Sequence, residues 1–326
     1  MQNLKKVICG WGFLLCGVAP MVAQVNVPNG EGVFKHLDLS VDVGSVGVGL
    51  NVSMPVGDYV RLRAGFDVMP KFQHNMTFGV QVGDPNQQSE SESRSKFERL
   101  ATILENLTGY RVDDHVDMVG EPTFNNFKLL VDVMPFRNKH WHFTAGFYWG
   151  ASRVAKARNT MEEMTSLMAM AIYNNMYDRI ASDEGIVLDF GNMQIPMFND
   201  PEIEDKILGY GRMGVHVGDR RADGTPYMME PDGSNMVRAK IKVNPFRPYV
   251  GFGYGGRLLK GCDDYRISFD CGMMMWGGTP KILTHDGTDL ARDVMNIRGK
   301  VGDYVRLIKG VKVYPVLQLQ VSRRLF

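Results

Sequence analysis

Apolar and polar residues alternate one by one along much of this 326-residue chain. In the first clear example, Leu37, Leu39, Val41 and Val43 are separated by polar or charged residues. Successive side chains of a β-strand point to opposite faces, so this period of two predicts strands with one apolar and one polar face. The alternating segments are 36–43, 45–54, 59–69, 127–134, 140–150, 236–243, 249–255 and 311–322.

Two architectures use such strands, and they differ in which way the apolar face points. A soluble β-sandwich turns that face inward, whereas a membrane β-barrel turns it towards lipid. The polar face here carries glycines and charges of both signs, which suit the narrow interior of a small barrel. Aromatic residues also bracket several strands, as they do at membrane interfaces. We therefore predict an all-β fold, an antiparallel transmembrane β-barrel. The bracketing aromatic residues are Tyr59, Trp141, Trp149, Tyr249 and Tyr254.

Three short, proline-containing turns set the predicted topology. They lie at 54–58, 134–139 and 244–248, and proline favours turns because it cannot donate to a strand ladder. Three such turns at one end, together with both termini, are what an eight-stranded barrel needs. The other end then has one tight turn near Gly44 and three long excursions, as outer-membrane barrels do. The predicted excursions are 71–123, 151–235 and 259–309.

The excursions are predicted to be partly helical. Apolar residues at helical spacing indicate helices over 95–107 and 161–181, and Thr160 with Glu163 resembles a capping box at the start of the second. The methionine-rich stripe of 161–181 either packs on its own excursion or the barrel rim, or offers an adaptable contact surface.

Two further alternating stretches, 78–82 and 265–269, leave the strand number open. In the eight-stranded interpretation they are hairpins that extend the barrel wall above the membrane. If both span the membrane, the barrel has ten strands.

The N-terminal segment 1–23 is predicted to be a secretory signal peptide. It combines Lys5 and Lys6 with a short apolar run and a small residue before Gln24. Its removal leaves only Cys262 and Cys271, and two thiols in an exported protein favour a disulfide. The alternative is a pair of unlinked cysteines on one strand.

Charge balance narrows the function classes. Lysine and arginine total 37 and aspartate and glutamate 36, so the chain is not predicted to bind nucleic acid. Charges on the polar face of the strands are expected to pair across the barrel, because an unpaired charge in a low-dielectric interior is costly. The predicted interior network is Asp38, Asp42, Arg61, Arg63, Asp67, Lys128, Asp132, Arg238, Lys240 and Lys242.

Motifs of catalysis are weak or missing from the sequence. The glycines between Gly251 and Gly256 match a dinucleotide fingerprint, but they occupy one face of a strand and are interpreted as small residues inside a barrel. Acidic residues near His115, and a second acidic group at 219–232, are interpreted as solvated. His140 and His142 lie on the polar face at the predicted periplasmic end, away from the outer leaflet. We therefore predict no enzyme, no cofactor and no metal.

Several strands resemble a known class of proteins. The segments 127–136 (FKLLVDVMPF), 142–148 (HFTAGFY) and 247–255 (RPYVGFGYG), with the terminal strand 314–326, are similar to uncharacterised outer-membrane β-barrel proteins of the Bacteroidota. They resemble the OmpA/OmpX-like small-barrel superfamily more loosely. The resemblance implies insertion into the outer membrane and no agreed activity. Phe326 departs from it, because it is out of register with Leu325 and the preceding apolar residues.

These observations predict an exported outer-membrane barrel of a Gram-negative cell, with a lumen filled by side chains and a structural or surface-binding role carried by its long excursions. The alternative is a small outer-membrane pore, and a lipid-modifying barrel enzyme comes third. The expected partners are outer-membrane lipid and lipopolysaccharide, the barrel-assembly machinery and a surface ligand or protein.

Overall fold

The structure is a computed structural model that describes residues 36–84, 90–109, 111–182, 187–189, 194–196, 201–259, 262–297 and 299–325. The predicted signal peptide lies outside the described residues. The strands are β1 (Asp38–Gly44), β2 (Gly47–Pro55), β3 (Val60–Val68), β4 (His74–Val82), β5 (His115–Pro122), β6 (Asn126–Val133), β7 (Trp141–Gly150), β8 (Arg153–Asn159), β9 (Val187–Asp189), β10 (Gln194–Pro196), β11 (Met213–Arg220), β12 (Pro226–Met229), β13 (Arg238–Lys242), β14 (Phe246–Leu259), β15 (Cys262–Met275), β16 (Lys281–Thr284), β17 (Val294–Met295) and β18 (Val313–Arg324). The helices are α1 (Glu90–Thr108), α2 (Met164–Ala181), α3 (Pro201–Tyr210) and α4 (Gly299–Gly310).

Eight strands close into an antiparallel barrel, which confirms the predicted fold class and the eight-stranded count. Around the barrel their order is β1, β18, β15, β14, β7, β6, β3 and β2. Each barrel strand therefore pairs with the barrel strands that come before and after it in the chain, leaving out the strands of the excursions between them. The last strand pairs with the first, from Asp38 opposite Arg324 to Gly44 opposite Gln318. This closure leaves no unpaired edge on the sheet.

The two ends of the barrel differ in their connections. One end carries both ends of the barrel-forming chain and the short connections between β2 and β3, β6 and β7, and β14 and β15. The other end carries the tight turn between β1 and β2 and three long excursions. We refer to them as the short-turn end and the excursion end.

Two segments occupy different places from those predicted. The alternating segment 236–243 is not a barrel strand, since β13 pairs with β8 and β16 in a second sheet. The stretch 265–269 belongs instead to β15, a 14-residue barrel strand paired with β14 and β18. The predicted turn at 244–248 therefore leads from an excursion into the barrel, and the excursions span 69–125, 151–245 and 276–312.

The three excursions together form a second antiparallel sheet. We call this sheet, together with the helices of the excursions, the excursion module. The strand order is β12, β11, β4, β5, β8, β13 and β16, and β17 pairs with β11 as an eighth strand. The first excursion gives β4 and β5, the second β8 and β11 to β13, and the third β16 and β17. The predicted strand at 78–82 thus lies in this module, as the C-terminal half of β4.

The outermost strands of this second sheet are joined through side chains. The hydroxyls of Tyr227 on β12 and Thr284 on β16 lie 2.9 Å apart, and Tyr227 also donates to Asp286 at 2.9 Å. Burial raises the pKa of Tyr227 to about 12, so the phenol remains a hydrogen-bond donor at neutral pH. The sheet is therefore nearly closed, like the barrel beneath it.

The excursion module has an apolar core of its own. Leu167, Met170 and Met176 on α2 are buried against strand residues such as Val215 and aromatic Tyr227. The methionine-rich stripe therefore packs within the excursions, as the first of its two interpretations expects, although Met161 before the helix is exposed.

The start of α2 differs from the predicted capping box. Glu163 is the N-cap residue and makes no side-chain capping bond, and the Thr160 hydroxyl has no hydrogen-bond partner among the described residues. No helix in the described ranges is long and apolar enough to cross a membrane.

Candidate functional site in the barrel interior

The barrel is polar inside and apolar outside. On β1, Asp38, Ser40 and Asp42 are buried, whereas Val43 on the opposite face of the strand is exposed. The other strands of the barrel likewise bury polar side chains and expose apolar ones. The large apolar side chains exposed on its outer face include Leu50, Val52, Phe66, Val68, Phe127, Val131, Val133, Trp141, Phe143, Trp149, Phe246, Val250, Phe252, Tyr254, Phe269, Met273, Leu317 and Leu319.

Aromatic residues lie at both ends of this outer face. Trp141 contacts Tyr254 near the short-turn end, with ring centroids 5.1 Å apart. Phe147 contacts Phe246 near the excursion end, also at 5.1 Å. The prediction that Tyr249 is one of the aromatic residues at the membrane interface was wrong, because its side chain is buried inside the barrel.

The interior charges form two layers, and the first is centred on Arg63. Its guanidinium donates to Asp132 at 2.7 Å, to Asp270 at 2.6 Å and to Gln320 at 2.7 Å. Arg61 donates to the second oxygen of Asp132 at 2.9 Å. Arg63 lies on β3 and Asp270 on β15, four strands away in either direction around the barrel, so their ion pair crosses the barrel axis.

The Arg63 layer also contains a histidine. Nε2 of His142 donates to the Oδ1 atom of Asp270 at 2.9 Å, and both side chains are buried. Gly253 lies beside them, and a Cβ atom there would collide with both His142 and Asp270. The glycines of the fingerprint-like stretch thus make room for interior side chains, here for an imidazole and a carboxylate.

The second layer is centred on Lys128 and lies closer to the excursion end. The ammonium donates to Asp67 at 2.7 Å and to Asp42 at 3.0 Å. Gln318 donates to Asp42 at 2.7 Å, and the Asn51 amide donates to the other oxygen of the same carboxylate. Lys128 is 0% exposed. One buried cation is thus held between two buried carboxylates.

Arg247 occupies the interior at the excursion end. Its guanidinium donates to the carbonyl oxygens of Asn244 at 2.8 Å and Ala151 at 2.6 Å, and to the Asn126 side chain. It also lies over the ring of Phe124, 5.0 Å from the centroid. At the short-turn end, a depression is lined by Lys139, His140 and several arginines, which makes that mouth basic.

The structure brings together seven of the ten residues of the predicted interior network. Arg61, Arg63, Asp132, Asp42, Asp67 and Lys128 belong to the two layers, and Asp38 lies at the short-turn end near Arg324. The prediction was wrong for the three charges at 238–242. They lie on β13 of the excursion module, where Arg238 and Lys240 are exposed to solvent and Lys242 is half-buried. The residues concerned are Arg238, Lys240 and Lys242.

Sequence reasoning missed three interior residues, for which weak signals exist. Asp270 alternates with Ile267 and Phe269 in a segment that the pattern alone does not assign to the barrel. His142 falls on the polar face of its strand, but the pattern does not indicate a partner for it. Arg247 follows Pro245 and Phe246 in a predicted turn.

The predicted disulfide is contradicted by the structure. Cys271 is a free thiol, and Cys262 lies at the start of the same strand, β15. Nine strand residues at about 3.3 Å each separate the two Cα atoms by about 30 Å, far beyond the reach of a disulfide. The arrangement matches the alternative of two unlinked cysteines on one strand.

No protein-family model and no curated protein matches the chain. Among solved structures, the crystal structure of Acinetobacter baumannii CarO2 aligns with 90% of this chain and 100% of its own at 13% identity, with a TM-score of 0.38. The crystal structure of Acinetobacter baumannii CarO aligns with 88% of this chain and 97% of its own, also at 13% identity, with a TM-score of 0.35. Similarity this low shows neither a shared family nor a shared activity. The resemblance to Bacteroidota and OmpA/OmpX-like barrels stays a prediction.

Proposed function

We propose that this chain is an outer-membrane β-barrel with a lumen closed by its own charged side chains, and that the excursion module presents a binding surface outside the cell. The observation that carries the proposal is the inverted barrel, with ion pairs inside and large apolar side chains outside. Such an outer face is unfavourable in water, because exposed apolar surface costs free energy. Apolar patches this continuous are therefore rare on soluble monomers.

The height of the apolar face supports membrane insertion. Trp141 and Trp149 lie eight residues apart on β7, which corresponds to roughly 26 Å along the strand. A strand tilt of about 40° reduces this to roughly 20 Å along the barrel axis. That span is close to the apolar band of outer-membrane barrels, which is about 25 Å high and flanked by aromatic residues.

The two charge layers support a lumen that does not conduct ions. An eight-stranded barrel is just wide enough for its interior side chains to fill it. Here Arg63 and Lys128 reach carboxylates across the interior, and neither leaves its partners accessible to solvent. A permeating ion would have to displace these pairs.

Conductance in planar bilayers tests the closed lumen. The wild-type protein is expected to give no steps of hundreds of picosiemens, and steps of that size would refute the proposal in favour of the small pore. The double variant Arg63→Ser/Asp270→Ser removes the pair that crosses the axis and should raise the frequency of small openings. Arg94→Ser on α1 is the matched control, because Arg94 is exposed in the excursion module.

Protease treatment of intact cells tests the orientation and surface role. Cuts are expected in 84–96, 183–206 and 219–235, where the exposed turn at 221–225 is the best defined target. The short-turn connections 56–59 and 134–140 should be cut only after the outer membrane is permeabilised. The reverse pattern would place the excursion module in the periplasm and remove the surface-binding role.

A lipid-modifying activity is less well supported. Two histidine–carboxylate pairs of the described residues involve barrel strands. His142 with Asp270 faces the interior and is buried, so lipid cannot reach it, and His36 with Asp38 lies at the short-turn end. We therefore propose a non-catalytic role, with lipopolysaccharide or a surface ligand as the partner of the excursion module.

A further inference from the structure

A histidine and two carboxylates from separate parts of the chain meet in the excursion module. His115 and Asp117 lie on β5, and Glu163 is the residue immediately before α2. One ring nitrogen and one oxygen from each carboxylate lie within 4.8 Å of one another. The backbone N–H of Thr160 donates to the carbonyl oxygen of Asp117 at 3.0 Å, which brings the approach to α2 against β5.

Glu163 distinguishes this group from an ordinary surface cluster. The residue is 8% exposed, and its Oε2 atom is buried without a hydrogen-bond partner. A buried carboxylate oxygen without a partner costs free energy. One oxygen of the same carboxylate belongs to the cluster with His115 and Asp117. The cluster thus contains a buried carboxylate that has an unsatisfied oxygen.

The neighbours of His115 and Asp117 are arranged as outer-shell residues of a metal site are. Nδ1 of His115 donates to Asp114 at 2.8 Å, and the Thr77 hydroxyl donates to Asp117 at 2.6 Å. Metal-binding histidines commonly donate one ring N–H to a carboxylate, which fixes the ring and leaves the other nitrogen for the metal.

We propose that His115, Asp117 and Glu163 form a binding site for a divalent transition-metal cation of the Zn²⁺ class. Imidazole nitrogen and carboxylate oxygen are both Zn²⁺ ligands, whereas Ca²⁺ and Mg²⁺ take oxygen ligands only. Three protein ligands leave the fourth tetrahedral position to water or to an external ligand. His115 is half exposed, so that position opens to solvent.

The geometry needs a small contraction to hold the ion. Zn²⁺ with ligands at about 2.0 Å in a tetrahedron places neighbouring ligand atoms roughly 3.3 Å apart. The three ligand atoms lie within 4.8 Å of one another, so reaching this geometry takes an inward movement of at most about 1.5 Å, which the exposed imidazole can make. Rotation of a half-exposed ring provides that movement without change in the strand.

Zn²⁺ binding to the full-length chain in detergent micelles tests the site, with a purification tag that contains no histidine. Competition with a zinc-sensitive dye should give one Zn²⁺ per chain, and millimolar Mg²⁺ or Ca²⁺ should not displace it. Glu163→Gln keeps the shape of the side chain but removes its charge, and it should abolish this binding. Glu162→Gln is the matched control, since Glu162 is the adjacent, exposed residue and should bind as the wild type does.

Two further variants keep the test decisive if the buried substitution disturbs folding. His115→Ala removes a half-exposed ligand and should also abolish binding. Asp114→Asn should weaken it by about tenfold or more, as expected for an outer-shell partner. The proposal would be overturned if the wild type does not bind stoichiometric Zn²⁺. It would also be overturned if Glu163→Gln and His115→Ala both bind Zn²⁺ as tightly as the wild type does.

Discussion

The barrel and the excursion module use the same period of two in opposite senses. In the barrel, Lys128 on β6 is fully buried and its strand neighbour Phe127 is exposed. In the module, Lys240 on β13 is exposed and Ile241 packs against the core. Both strands are antiparallel and both alternate regularly. They differ in which face of the sheet is buried: the polar face in the barrel and the apolar face in the module.

This difference shows that alternation specifies a strand but not its solvent. The barrel buries charged groups that pair with one another, while the module buries apolar groups as water-soluble domains do. The two regions should therefore respond in opposite ways to the same substitution. The predictions below compare matched residues from the two regions, starting with the largest expected effect.

Lysine substitution should separate the two regions most clearly. Lys128→Met removes the only cation bonded to Asp42 and Asp67 among the described residues, and leaves two buried carboxylates uncompensated. We expect a loss of about 3–5 kcal/mol in the free energy of unfolding. Urea titration in micelles, followed by the heat-modifiable mobility of the barrel on gels, measures it. Lys240→Met should change stability by no more than about 0.5 kcal/mol. Equal effects would abolish the distinction between the two lysines.

Methionine substitution should show that the module has a core of its own. Met170 on α2 is fully buried, so Met170→Ala is expected to cost about 2–5 kcal/mol through lost burial and cavity formation. Pulse proteolysis across a urea gradient reports on the module. Met161→Ala is the control, because Met161 is 78% exposed. A neutral Met170→Ala would mean that the excursions do not pack as a folded unit.

Arginine on the outer face should be unfavourable only in the barrel. Val250 on β14 is exposed and lies opposite Ala145, midway between Trp141 and Trp149. Val250→Arg should cost about 2–4 kcal/mol in a bilayer, because it places a charge near the membrane midplane. Folding into lipid vesicles measures this cost. The same change at exposed Ile103 on α1 should be nearly neutral. A neutral Val250→Arg in lipid would argue against membrane insertion.

Acid should weaken the module slightly through Asp286. Burial opposes ionisation of this group, but hydrogen bonds from Thr284 and the Thr288 N–H outweigh it and lower the pKa of Asp286. A lowered pKa in the folded state gives stability above the unfolded pKa near 3.8, and that stability is lost as pH falls through the folded pKa.

The variant Asp286→Asn isolates this contribution. Wild type should be more stable than the variant at pH 6, and the difference should shrink as the pH falls below about 3.8. Urea unfolding of the module at a series of pH values measures it. This is the smallest of the four effects, and a difference that grows towards low pH would contradict the assigned sign.

The sequence was sufficient to predict the barrel, its number of strands, the positions of seven of them and the difference between its two ends. It could not assign β13 and β15 to the right sheets. Both alternate, and the similar proline turns at 134–139 and 244–248 suggested equivalent positions. The length of the alternating stretch did not separate them either, because 236–243 is longer than 265–269 in the sequence, whereas β15 has 14 residues and β13 only five in the structure.

The candidate sites show a similar limit. Asp42, Asp67 and Lys128 were predictable because each lies on the polar face of a recognisable strand. The meeting of His115 and Glu163 was not, because it depends on how α2 folds back against β5. No local pattern records that contact, and Glu163 was assigned to a capping box instead.

The strand order of the second sheet links the fates of the three excursions. β4 from the first excursion lies next to β11 from the second, and β13 from the second lies next to β16 from the third. No excursion can complete the sheet without the others. Deleting or grafting the first or the third would expose strand edges on the second, and removing the second would expose edges on both others, so variation in this surface has to be concerted across segments that are distant in the gene.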